Sequence, residues 1–231
     1  MIFCTPEDDP KIWGCERVER RADATLPILV KTLDVRGRLS VQVHPGAAAA
    51  SALGGREKNE MWCILEPGTL YAGFKPGTGE GAIRRAIAEN TLDRLLVRIE
   101  AKKYETYFIP AGLVHAAQGV RFFEVQQDSD TTYRLYDWGS VDAQGRPRRL
   151  HIEESMASLD AALPPPSPVR DLETPWFSFA QKDVVAGGAL DAPQKKAALV
   201  FDAAARKSFL LAPGERAAVA PGRYFMAGAK V

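Results

Sequence analysis

Histidine is scarce: the 231 residues contain three. Two of them, His44 and His115, fall in ligand-like settings, and His151 follows an arginine-rich run where a surface or helix-start role is expected. Cysteine is equally rare. Cys4, Cys15 and Cys63 are an odd number without paired-motif spacing, which reads as reduced thiols in a cytoplasmic protein, with Cys63 as plain core. No stretch approaches the ~20 apolar residues of a membrane span, and the early residues hold no apolar run of signal-peptide length. Charge of one sign is also missing: 30 Lys and Arg against 29 Asp and Glu leave +1. Nothing therefore draws the chain to nucleic acid or to an anionic membrane, and residues 146–149 read as a solvated loop. Gly77-x-Gly79-x-Gly81 lacks the Gly-Lys-Ser/Thr ending of a phosphate loop and reads as a flexible turn.

What remains is an ordinary globular composition, 46% hydrophobic, cut into many short strands. Residues 1–24 offer only Trp13-Gly14 as an anchor. A strand at 26–33 is interrupted by Lys31, and a turn through Gly37 leads into the strand carrying Gln42. Residues 46–56, small and low in complexity, predict a mobile loop or lid. The apolar run 61–65 and its neighbour 69–74, joined by Pro67-Gly68, predict a hairpin. Helices are expected at 80–90, 92–96 and 152–159. Residues 164–168, rich in proline, read as a stiff linker, with four or five short strands beyond. The organisation expected is a metal-binding domain over 1–163, the linker, and a C-terminal β extension over 169–231. The fold class is mainly all-β, a barrel or sandwich.

The polar residues gather around 105–138. A strand at 106–109 meets a turn built on Pro110 and Gly112, which delivers His115. Glu124 lies in the next strand and Arg134 in the one after. Upstream, Ser40, Gln42 and His44 alternate with Leu39, Val41 and Val43, so the three polar residues share one strand face. Lys58 and Glu60 have the same i, i+2 relation. Gln42, His44, Glu60 and His115 together make a first shell for a divalent metal. With one negative charge in the set, the metal keeps Lewis acidity. Two structural alternatives stand beside this reading: Gln42 as a hydrogen-bonding sheet residue, and Glu124 paired with Arg134 in a buried salt bridge.

Pro110-x-Gly112-x-x-His115 is similar to the second cupin motif, and Gln42-x-His44 stands where many cupins carry a His-x-His pair. With residues 29–34, 39–45, Lys58-x-Glu60-x-Trp62, 107–116 and 124–139, the chain resembles type I phosphomannose isomerase, most closely its short bacterial branch. The resemblance implies a cupin-type β-barrel (jelly roll) with a few short helices. It implies one zinc ion per chain, held by His44, Glu60 and His115 with Gln42 as fourth ligand, and a small sugar phosphate as partner. The implied reaction interconverts mannose 6-phosphate and fructose 6-phosphate through an enediolate. It makes Arg134 the active-site arginine, sets Lys31, Lys58 and Glu124 in the pocket, and puts Ser40 near the phosphate. Lys58 and Glu124 are the candidates for the general base. The chain departs from the family in a short segment between Trp13-Gly14 and residue 29, and in Ser140, where a basic residue is usual. These departures leave a second expectation, a non-catalytic sugar- or metal-binding cupin shortened from an isomerase ancestor.

Overall fold

The computed structural model describes residues 1–141 and 144–230. Its organising element is the 13-residue strand His115–Gln127. On one side it pairs antiparallel with Ile28–Arg38, setting Glu124 opposite Lys31. On the other side it pairs with Glu60–Glu66, setting Glu124 opposite Trp62 and Gln126 opposite Glu60. Its first residues pair with Gly68–Phe74. Val41–Val43 links His115 to the strand Tyr133–Tyr136, with Gln42 opposite both His115 and Arg134. These strands belong to a curled ten-stranded sheet, the cupin-type barrel expected.

A second, six-stranded sheet is built from C-terminal strands, including Phe177–Val184, Ala198–Asp202, Lys207–Leu211 and Gly222–Ala229. The N-terminal strand Ile2–Phe3 completes its edge. The two sheets share a core. Along Glu60–Glu66, Trp62 and Ile64 point into the barrel, while Met61, Cys63 and Leu65 point out against Phe177, Phe179, Phe201 and Phe225. Both faces are buried, which is why this strand reads as a continuous apolar run. Each phenylalanine so buried contributes about 1.5–3 kcal/mol. Cys63 is core, its thiol pushed up to about 12 by burial.

Several local expectations change. Residues 61–65 and 69–74 do not form a hairpin. Both run alongside His115–Gln127 in the same direction, from Gln126↔Glu60 to His115↔Ala72. Pro67-Gly68 is therefore a bend within one long run. The reason is a close approach: a Cβ on Gly68 would lie 2.3 Å from the Gly119 carbonyl oxygen and 2.6 Å from Val120 Cβ. Gly68→Ala should accordingly destabilise the protein by about 1–3 kcal/mol, lowering Tm by roughly 2–4 °C per kcal/mol. A thermal melt unchanged from wild type would remove that reading of the bend.

Gly37 does not turn the chain, because the strand Ile28–Arg38 continues through it. Residues 46–56 are not a loop throughout: Ala47–Leu53 is an α-helix. Its alanines have the highest helix propensity, and Gly54, at φ +71°, closes it. The N-terminal region, where the sequence offers only Trp13-Gly14 as an anchor, is largely strand, with Glu7–Lys11 and Gly14–Arg20 forming a hairpin that adds to the barrel through Ile28–Arg38. The remaining helices, Glu80–Ala88, a 3-10 turn at Leu92–Leu95, and Ile152–Ser158, fall where the periodicity placed them. Thr91 precedes the 3-10 turn without a side-chain capping bond. No helix among the described residues is long and apolar enough to cross a membrane.

Candidate active site and metal centre

The inner face of the barrel changes character along its length. Leu33, Val35, Ile64 and Phe122 pack one end. The next inward positions on the same strands are Lys31, Trp62 and Glu124, followed by Glu60 and Gln126. Strand alternation therefore carries the polar set to the open end of an apolar barrel.

There the potential ligand atoms of His44, Glu60 and His115 lie within 4.8 Å of one another, all three residues buried. The turn expected at 110–112 delivers His115. Gly112 sits at φ +85°, its N–H donates to the His44 carbonyl (2.8 Å), and Leu113 N–H closes back on Pro110 O (3.1 Å). Both imidazoles are fixed from behind. His44 Nδ1 donates to Thr131 O (3.0 Å) and His115 Nδ1 donates to Leu113 O (2.9 Å). Burial is the largest cause holding His44 below its usual value. It also presses His115 down to about 3, with His44 adding to the effect. The rings are thus neutral, and each turns the lone pair of Nε2 inward.

The fit to a metal is visible in an unresolved pairing. His44 Nε2 is buried without a hydrogen-bond partner, yet Glu60 Oε1 stands 3.1 Å away. The Glu60 carboxyl is held well below its usual range because its charged neighbours, Lys58 first, outweigh the effect of burial. A lone pair thus faces a carboxylate oxygen, and a cation between them satisfies both. His115 Nε2 lies 3.8 Å from the other Glu60 oxygen. Gln42 brings its amide to His115 Nε2 at 3.2 Å, and rotating that amide would offer oxygen as a further ligand. Two imidazoles with a carboxylate is a donor set suited to zinc.

A cleft of about 320 Å³ opens in front of this group. It is lined by every other residue singled out from the sequence: Lys31, Ser40, Gln42, Lys58, Glu124 and Arg134, with Glu60 at its floor. Lys58 Nζ is 2.9 Å from Glu60 Oε1. Trp62 Nε1 donates to Glu60 (3.1 Å) and to Glu124 (2.9 Å), locking the two carboxyl groups in relation to each other. The Glu124 carboxyl is pushed up to about 8, first by burial and then by the Glu60 charge, against the pull of Lys31 and Lys58. Lys31 pairs with Glu16 at 3.5 Å, which accounts for a lysine facing inward from an apolar strand.

Glu124 and Arg134 form no ion pair. Arg134 donates from Nη1 to Arg149 O (2.8 Å), and its Nε is buried without a partner. His151 opens the helix Ile152–Ser158 and exchanges two bonds with the Arg134 backbone, fixing that residue's position. Sequence reading missed Trp13, Asp130, Thr132 and Arg148, which also line the cleft. Asp130 and Thr132 were accessible in principle, since they alternate with Arg134 on one face. Arg148, in the run expected to be a solvated loop, is folded back over the cleft by Asp137.

Comparison with known proteins agrees with this geometry. Residues 6–68 match the catalytic domain of type I phosphomannose isomerase. A mannose-6-phosphate isomerase from Streptococcus mutans is 39% identical over 146 residues, covering 61% of this chain and 46% of that protein. The chain thus spans about half the length of the curated relatives it matches. The fold likeness extends further. The mannose 6-phosphate isomerase of Bacillus subtilis superposes with a TM-score of 0.73 at 20% identity, over 100% of this chain and 99% of that one. A zinc-bound mannose 6-phosphate isomerase gives 0.60 at 18% identity, over 89% and 79%. The resemblance to type I phosphomannose isomerase, carried by separate motifs in the sequence, is thereby established.

Proposed function

We propose that the protein is an aldose–ketose isomerase that interconverts mannose 6-phosphate and fructose 6-phosphate. The observation that carries this reading is one cleft bringing a buried His44–Glu60–His115 group together with Glu124 and Arg134. His44, Glu60 and His115, with Gln42 beside them, would hold zinc, the metal of the zinc-bound relative. When bound there, zinc supplies Lewis-acid polarisation of the substrate's carbonyl and hydroxyl oxygens.

The chain's own residues account for the rest. Isomerisation takes a proton from C1 of the ketose, or C2 of the aldose, and returns one to the neighbouring carbon through an enediolate. A carboxyl titrating near neutrality can both take and return it, and Glu124 is such a group. Lys58 is held against Glu60. That leaves Glu124 as the base and Lys58 as a fixed cation beside the oxygens that gain charge. Arg134, on the same wall, stabilises that charge as it develops. Ser40 and Lys31 line the cleft and complete the substrate's surroundings. A cytoplasmic location belongs to this proposal, supported by three cysteines that form no disulfide.

The test is fructose 6-phosphate in D2O, followed by NMR. The wild-type protein should produce mannose 6-phosphate carrying deuterium at C2. Glu124→Gln keeps the shape and removes the base, so turnover should fall by about 10²–10⁴ with metal content unchanged. A Glu124→Gln protein that isomerises at the wild-type rate would remove Glu124 from the reaction.

A further inference from the structure

Five cations line the cleft, and four of them are matched by a carboxylate. Lys11 lies 2.6 Å from Asp9, Lys31 lies 3.5 Å from Glu16, Lys58 lies 2.9 Å from Glu60, and Arg148 pairs with Asp137. Arg134 is the exception among the described residues: its guanidinium meets a backbone carbonyl and no carboxylate, and its Nε is buried unpartnered. The side-chain charge bearing most on it is that of Arg148. Two guanidiniums thus line one cleft, and the charge of a single carboxylate, Asp137, bears on both.

The pairing with Asp137 also sets direction. Asp137 is buried and grips Arg148 along one edge, Nε to Oδ2 at 2.7 Å and Nη2 to Oδ1. Nη1 takes no part in this pairing, and Arg148 lines the cleft. A guanidinium fixed along one edge is a preorganised fork for a tetrahedral oxyanion. The order of neighbours matters as well. Gln42 touches His115, Arg134 pairs with Gln42 across adjacent strands, and Arg148 lines the same cleft as Arg134. The series leads from the metal group outward, as the carbon chain of a sugar phosphate leads from its reacting end to its phosphate.

We propose that Arg148, held by Asp137 beside Arg134, binds the phosphate group of the substrate and sets the preference for phosphorylated over free sugar. This rests on the isomerase reading for its substrate, but its chemistry, a phosphate dianion between two guanidiniums, can be tested without turnover. A loop delivered from 11 residues beyond Asp137 thereby supplies the cation that Ser140 does not.

The experiment measures binding of inorganic phosphate and of fructose 6-phosphate to the zinc-loaded protein by calorimetry, together with kcat and KM. Arg148→Ala should weaken both ligands by about 10–100-fold, as the loss of a charged hydrogen-bonding partner does. The loss in kcat/KM for fructose 6-phosphate should lie mainly in KM and exceed any loss for unphosphorylated fructose, and Arg148→Lys should recover part of the affinity. Because Arg148→Ala strands a buried carboxylate, the double variant Arg148→Ala, Asp137→Ala serves as a folded control with the same expected loss. Wild-type affinity for phosphate in both variants, or an equal loss for phosphorylated and free sugar, would overturn the proposal. If the wild-type protein binds phosphate through Arg148 yet turns over no sugar phosphate, the isomerase reading fails and the anion site stands.

Discussion

His115→Ala yields a protein that keeps its fold but holds no zinc and turns over no fructose 6-phosphate. His115 is the residue through which the metal group depends on the architecture. It begins the central strand, stands opposite Gln42 on one neighbour and Ala72 on the other, and has no solvent exposure. Its Nδ1 bond to Leu113 O aims Nε2 inward, and the Trp62 ring packs edge-on against it at 5.3 Å. Removing the imidazole leaves His44, Glu60 and only the weaker amide donor of Gln42, without one of the two imidazoles that suit the set to zinc. Metal analysis should fall from roughly one equivalent to near none, and circular dichroism should retain the strand signal. The cavity left behind costs about 2–5 kcal/mol on the scale of other large-to-small core changes, so the comparison belongs well below Tm. Full occupancy in the folded variant would refute the ligand assignment.

Arg134→Ala separates chemistry from metal. Its side chain touches Arg149 O and none of the three proposed ligands, so the variant should bind zinc like the wild type. It removes the one lining cation among the described residues without a carboxylate partner, from where the proposed enediolate would gain charge. Loss of one such preorganised donor costs about 10²–10³ in kcat, and the additional contact with phosphate proposed for this wall should raise KM as well. Loss of metal in parallel with activity would mean that Arg134 supports the metal group instead of stabilising the enediolate.

The parts of the site legible in the sequence were those governed by local rules. Pro110 and Gly112 constrain φ within a few residues, so the turn before His115 could be read directly, and the alternation of Ser40, Gln42 and His44 follows from strand geometry. The Pro67-Gly68 bend could not be read in this way. A Pro-Gly between two apolar runs has the local signature of a hairpin, and only the distant strand His115–Gln127, pairing with both runs, turns it into a bend. Arg148 was hidden for a similar reason. Within residues 146–149 its charge reads as solvated, and the information placing it over the cleft lies in Asp137, a buried carboxylate 11 residues away. The helix Ala47–Leu53 was obscured differently, because low complexity masked a run of strong helix formers.

The central claim is metal-dependent isomerisation, and the most direct measurement is fructose 6-phosphate turnover by the purified protein, followed by NMR before chelation, after chelation, and after zinc is returned. The account predicts mannose 6-phosphate in the first sample, none in the second, and recovery in the third. A folded, zinc-loaded protein that forms no mannose 6-phosphate would contradict it and leave a metal-holding cupin that binds sugar without converting it.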